Sequence, residues 1–317
     1  MKLTRILPLA LPLALGLALP TGAAFACSAC GCNLDTDEQT AGNSNASGWS
    51  VDERVDYVNQ NHQMQGGKDA SPQDPSQNEV QNNTSTIFYT TTLDYQSQDA
   101  WGVNLAVPFE YRTHSTSNDG QDWAFSKSSW NALSDIKLLG RYDVSGERRF
   151  NILGGLKLPT GYTSEHFRTG TTDQVVDPGL QPGTGTYDLL LGLNQNGQFT
   201  DKLGWFAQEM WQRPLTEHNN FAEGQKLNAS VGVRYAINET FTPQFQFNAQ
   251  NRWRDHGENS DRANSGGQVI YASPGLFINV TDSTALYGFV QVPVYQRVGG
   301  LELVPDYSAS VGVKFHF

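Results

Sequence analysis

The stretch Tyr307-Ser308-Ala309-Ser310-Val311-Gly312-Val313-Lys314-Phe315-His316-Phe317 decides the fold. Its odd positions are apolar or aromatic and its even positions are polar or glycine. Strict alternation over eleven residues is the period of a β-strand, which sends successive side chains to opposite faces. The same pattern recurs upstream. Phe241, Pro243, Phe245, Phe247 and Ala249 oppose Gln244, Gln246, Asn248, Gln250 and Arg252, and Leu227, Ala229, Val231, Val233, Tyr235 and Ile237 oppose Asn228, Ser230, Gly232 and Arg234. Val103, Leu105, Val107, Phe109 and Tyr111 oppose Asn104, Glu110 and Arg112, and Ile136, Leu138, Tyr142 and Val144 oppose Asp135, Lys137, Arg141 and Asp143.

Extending this reading gives twelve strands, at 49–63, 85–97, 100–113, 132–145, 149–158, 186–199, 202–213, 225–237, 240–254, 268–281, 283–296 and 305–317, with ten and fourteen as the neighbouring counts. Their lengths suit tilted membrane spans. The connections alternate. Short ones fall near 97–100, 145–148, 200–201, 238–239 and 281–282; long polar ones fall at 64–84, 114–131, 159–185, 214–224, 255–267 and 297–304. Such asymmetry is expected of a transmembrane barrel with short periplasmic turns and long outer loops. An open edge in hydrocarbon would leave backbone groups unpaired, so the sheet must close. The fold class expected is all-β, an antiparallel up-and-down transmembrane β-barrel of one domain.

Composition agrees. The 317 residues include 31 glycines and 11% aromatics, with few amphipathic helical runs. Mean hydropathy is negative, as in a barrel whose every second strand residue faces lipid. A net charge of -11 argues against a nucleic-acid partner. Residues 1–26 read as a signal peptide: Lys2 and Arg5, an apolar run from Ile6 to Pro20, then Ala24-Phe25-Ala26 before Cys27. An inner-membrane anchor and a lipoprotein signal acylated at Cys27 are the alternatives. Residues 27–48 are expected to form a periplasmic segment carrying thiols, residues 49–317 the barrel in the outer membrane of a Gram-negative cell, with both termini periplasmic.

Three constellations bear on chemistry. Cys27, Cys30 and Cys32 lie within six residues and are the only cysteines. An odd count is no disulfide framework; the cluster could bind a soft ion such as Cu(I) or Zn(II), form one disulfide with a spare thiol, or serve a redox partner. Charges of both signs point to the interior face: Asp52, Arg54, Asp56, Asp94, Glu110, Arg112, Asp135, Lys137, Arg141, Asp143, Lys157, Asp188, Arg234 and Arg252. They line a solute path, or pair with one another and fill a narrow barrel. As the path itself, Glu110, Arg112, Lys137, Arg141, Lys157, Asp188, Arg234 and Arg252 are the candidates. His62, His114, His166, His218 and His256 fall at strand ends or in long loops and read as solvated. No nucleophile elbow with ordered Ser, His and Asp is present, and an enzyme is not expected.

Gly154-Gly155-Leu156-Lys157-Leu158-Pro159-Thr160-Gly161 closes one strand, and Asp177-Pro178-Gly179-Leu180-Gln181-Pro182-Gly183-Thr184-Gly185-Thr186-Tyr187-Asp188 opens the next. The pair resembles transporter-like outer-membrane proteins of the meta-pathway phenol degradation-like family, which are related in architecture to long-chain fatty acid transporter barrels. The terminal strand ending on Phe317 likewise resembles the signature read by the outer-membrane barrel assembly machinery. The resemblance implies passive uptake of small, often apolar or aromatic solutes, with lipid and the assembly machinery as partners. The thiol cluster lies outside that motif pair and implies the competing reading, a barrel-anchored protein that binds a metal or a redox partner.

Overall fold

The computed structural model describes residues 47–70, 79–118, 125–167 and 175–317. The strands are β1 (Gly48–Gln65), β2 (Lys68–Asp69), β3 (Glu79–Gln96), β4 (Trp101–Asn118), β5 (Phe125–Leu133), β6 (Ile136–Asp143), β7 (Phe150–Leu158), β8 (Asp188–Gln198), β9 (Leu203–Pro214), β10 (Lys226–Tyr235), β11 (Phe241–Arg252), β12 (Gly267–Thr281), β13 (Thr284–Val298) and β14 (Leu301–His316). Each main strand pairs antiparallel with its sequence neighbours, and β14 returns to β1 in a register from Ser50↔His316 to Gln65↔Leu301. The barrel is closed by twelve strands. β2 only extends the β1 hairpin, and β5 and β6 are two halves of one strand against β4, interrupted at Ser134 and Asp135.

The inward–outward assignment holds along the chain. Apolar side chains such as Val231, Val233, Phe245, Phe247, Leu138 and Val311 are exposed on the outer surface, while Asp52, Asp56, Glu110, Arg141, Lys157, Asp188, Gln246 and Ser310 are buried inside. Aromatic rings gather near the short-turn end: Trp49, Tyr95 and Trp101 lie with ring centroids 4.9 and 5.4 Å apart. Trp49 and Phe317 exchange backbone hydrogen bonds, so the barrel starts and finishes at that end.

Three departures from the expected layout have physical causes. The β3–β4–β5 hairpins run well into the spans expected as loops, pairing as far as Glu79↔Asn118 and Ser117↔Phe125. The ladder continues there although most of the side chains, as in Gln81–Thr84 and His114–Ser117, are polar. β13 and β14 pair only from Thr284↔Phe315 to Gln291↔Ser308 and then part. Pro293 and Pro305 lie beyond that point, and neither has an N–H for a ladder. Gln296 instead donates its side-chain amide to the Pro305 carbonyl (2.9 Å), and Val304 packs with Met64 and Val298 between the strands. Lastly, the free edge of β5 meets no strand. The connection 159–187 takes that place, with the Tyr162 N–H donating to the Leu133 carbonyl (3.1 Å).

Candidate functional site

The motif pair is where this connection crosses itself. Gly161 and Gly183 touch through their backbones: a Cβ on Gly161 would fall 2.5 Å from the Gly183 Cα, so neither position accepts a side chain. Asp135, at the break between β5 and β6, clamps both passes. Its Oδ1 accepts from the Gly161 N–H (3.0 Å), and its Oδ2 accepts from the Thr184 N–H (2.9 Å) and hydroxyl (2.7 Å). Thr160 accepts from the Ile136 N–H (2.9 Å), fixing the other shoulder of the turn.

Below the clamp lies Lys157. Its Nζ is 3.0 Å from Asp135 Oδ2 and 3.1 Å from Asp188 Oδ2, and it donates to Thr184 and to Thr186 Oγ1 (3.2 Å). The Thr186 hydroxyl and Gln212 Nε2 satisfy Asp188 at 2.7 and 2.6 Å. Lys157 and Asp188 are opposite one another on β7 and β8, and Lys137 opposes Lys157 on β6. Two cations facing each other would repel; the carboxylates of Asp135 and Asp188 offset this for Lys157. Buried charges of this kind persist only when paired and fully hydrogen-bonded.

The inner part of the connection is held from above. Arg112 donates to the Leu180 carbonyl (2.8 Å) and Thr86 Oγ1 (3.0 Å), and pairs with Glu110 (3.1 Å). Val176 and Leu180 pack on the inward-facing Trp130, with Phe167 against them. Gln181 stitches the connection together by accepting from the Glu165 N–H and donating to the Glu165 and Val176 carbonyls. The segment thus folds into the barrel rather than over it. On the neighbouring wall, Arg252 is bidentate to Asp255 (2.6 and 2.8 Å) and Glu223 pairs with Lys226 (2.7 Å). Burial alone would raise the Glu223 carboxyl, but Lys226, then Arg252 and Lys157, hold it well below the usual carboxylate range.

Deeper in, Leu139, Leu153, Leu190 and Met210 form an apolar patch on the lumen side of β6–β9. Amides line β10–β12 instead: Gln244 donates to Gln246, Gln246 to Asn248, and Asn248 to Ser273, at 2.7, 3.0 and 2.7 Å. Nearer the short turns, Arg141 is bidentate to Asp94 (2.5 and 2.7 Å) and donates to Gln96 (2.6 Å). These mid-barrel side chains are buried, and cavities open at each end: about 360 Å³ among the long loops, 260 Å³ at the short-turn mouth beside Ser50, Asn279 and Lys314.

Of the residues expected along a path, Lys157, Asp188, Glu110 and Arg112 converge around the inward connection. Arg252 lies on the neighbouring wall beside Glu223, Arg141 near the short turns, and Arg234 is half-buried at the same end, facing Gly204 and Gln244 across its ladders. Lys137 sits directly above Leu139. Asp135, Thr184 and Gln181 were not marked out as path residues; Asp135 was legible only as an inward charge, since its role depends on the break beside it. His114 is not a solvated loop residue: it is buried on β4, its Nδ1 2.8 Å from Thr84 Oγ1, because β4 extends beyond its expected end. Among the described residues no group of His, Cys, Asp and Glu is arranged to hold a metal. Cys27, Cys30 and Cys32 lie outside the described residues.

No family model matches the chain, and no curated protein matches it. Solved structures do. An outer-membrane channel of the COG4313 type from Pseudomonas putida F1 superposes with a TM-score of 0.61 at 11% identity, over 86% of this chain and 96% of that one. The NanC porin gives 0.46 at 10% identity, over 84% and 100%, and a FadL homologue from Pseudomonas aeruginosa 0.41 at 10%, over 85% and 90%. The first establishes a shared barrel fold; the other two are too distant to carry an argument.

Proposed function

We propose that this chain is an outer-membrane facilitator for passive entry of small solutes, apolar or aromatic ones among them, with its long loops outside the cell and both chain termini in the periplasm. The apolar belt on the outer surface and the polar interior support the membrane setting. One observation carries the transport reading: a connection held by hydrogen bonds and one small apolar contact folds inward between a cavity at one mouth and a cavity at the other. A barrel serving only as an anchor has no need of a removable closure. The apolar patch Leu139, Leu153, Leu190 and Met210, on the same face as Lys157 and adjoining β10 through Met210, offers a surface for a solute with an apolar body and a polar edge. Partners in this reading are outer-membrane lipid, the barrel assembly machinery and the solute. The path residues Lys157, Asp188, Glu110, Arg112, Lys137, Arg141, Arg234 and Arg252 then act by shaping and biasing the route, with no catalytic step.

Liposome uptake tests it. Vesicles carrying refolded mature protein are expected to admit small uncharged aromatic solutes faster than protein-free vesicles, and faster again when residues 27–48 are removed if that segment partly closes the periplasmic mouth. Equal rates with and without the barrel, in both forms, would overturn the reading. Copper or zinc titration of residues 27–48 in the same preparation reports separately on the thiol cluster.

A further inference from the structure

The cavity among the long loops is more specific than a funnel. Its walls come from three segments: Thr163 and Val175–Thr184 of the inward connection, His218–Phe221, and Asn259. The second is a rigid turn. His218 and Phe221 exchange backbone hydrogen bonds of 2.9 Å, and Asn219 and Asn220 both have positive φ (49° and 54°), a conformation asparagine tolerates better than most residues. Asn259 braces it through the Asn219 and Asn220 carbonyls (2.7 and 3.1 Å). The His218 ring rests on Gly185, where a Cβ would collide with the ring's Cγ and the positive φ of 70° already favours glycine. The site is therefore built before any solute arrives.

Its chemistry is one-sided. Val175, Val176, Pro178 and Phe221 supply apolar surface, and among the described residues no lysine or arginine lines the cavity. Asp177 opens to the cavity, and its carboxylate caps no backbone N–H and has no ion pair among the described residues. It is accessible to solvent yet crowded by protein; that crowding, then nearby Asp261, raises its carboxyl above the ordinary value, the sign of a negative charge short of partners. The His218 Nε2 lies 3.1 Å from the Asn219 side-chain nitrogen. About 360 Å³ is within the range of small-molecule sites.

We infer that this cavity is a recognition site for small organic cations, in which Asp177 receives a protonated amine and Val175, Pro178 and Phe221 hold the apolar body. The inference rests on the facilitator reading for its purpose, concentrating one solute class at the outer mouth, and on the cavity alone for its existence. Phenethylamine and phenylacetate share an apolar body and differ in charge. Titrated calorimetrically into the mature protein in amphipol at pH 7, phenethylamine is expected to bind saturably at one site and phenylacetate not at all. Asp177→Asn should weaken the amine by about tenfold or more, the loss of one charge-assisted hydrogen bond. The Asp177 side chain is a loop group with no hydrogen bond or ion pair among the described residues, so the variant's unfolding temperature should match the parent's. Equal binding of both probes, or unchanged amine binding in Asp177→Asn with the fold intact, would overturn the site. Liposome uptake run in parallel separates the two readings: amine binding without any solute flux removes the facilitator and keeps the site, whereas flux without amine binding removes the site alone.

Discussion

The two walls of the lumen solve the problem of a polar interior differently. Along β4–β8 the inward polar groups are ions, set around the apolar patch: Glu110 with Arg112, Lys157 with Asp135 and Asp188, and Arg141 reaching back to Asp94 on β3. Along the middle of β10–β12 they are amides and hydroxyls in a relay, from Gln244 through Gln246 and Asn248 to Ser273, with Gln250 donating to Asn228 (2.9 Å) alongside, and the cations Lys226, Arg234 and Arg252 stand only at the strand ends. A buried ion that loses its partner keeps its full desolvation cost, so an ionic wall is fixed in one arrangement. An amide is donor and acceptor at once and carries no net charge, so it can exchange a protein partner for a solute hydroxyl at small cost. The inward connection is fastened to the ionic wall, which can hold it in one place. The amide wall is left to face whatever passes.

Four substitutions would break or sharpen this contrast. The largest effect is expected for Lys157→Met, which leaves Asp135 and Asp188 buried without their cation; removing one member of a buried pair costs about 3–5 kcal/mol, to be read as a lower denaturation midpoint on heat-modifiability gels. Next, Arg141→Lys loses the bidentate contact to Asp94 and should cost about 1.5–3 kcal/mol, without releasing the connection, since Arg141 lies at the other end; protease accessibility of residues 159–187 should stay at the parental level. Glu223→Gln removes a carboxylate that Lys226 and Arg252 hold ionised. Because its folded value is depressed, its contribution is complete above the unfolded carboxylate range and lost as pH falls toward the folded value, so parent and variant should converge in acid and differ near neutrality. Smallest is Gln246→Met, where one relay amide is replaced by a residue of similar length. About 1 kcal/mol or less is expected, and a cost as large as that of Lys157→Met would abolish the distinction between the walls.

Much of this was written in the alternation of the chain. The lipid-facing set Phe241, Phe245 and Phe247 and the inward set Gln244, Gln246 and Asn248 could be assigned from period two alone, because hydrocarbon on one side and a polar lumen on the other leave no third option. That signal fades where it loses its cause. Gln81–Thr84 and His114–Ser117 continue the ladder beyond the apolar belt, where no face need be apolar, so they read as loop and His114 with them. The inward charges were legible, but not whom they serve. Asp135 clamps Gly161 and Thr184, residues 26 and 49 positions away, and nothing in local spacing announces a contact that depends on a strand breaking at Ser134. The Pro159-Thr160-Gly161 and Gln181-Pro182-Gly183-Thr184 motifs were visible as rigid turns; that they cross one another inside a barrel was not.

The central claim is that the connection 159–187, latched through Asp135, closes the lumen. Single-channel recording of the refolded mature protein beside Asp135→Asn in planar bilayers addresses it directly. The amide cannot accept at both clamp points and removes the charge that holds Lys157, so the account predicts a parent that is mostly closed and a variant with longer and more frequent openings. Indistinguishable traces from the two proteins, whether both silent or both open, would contradict it.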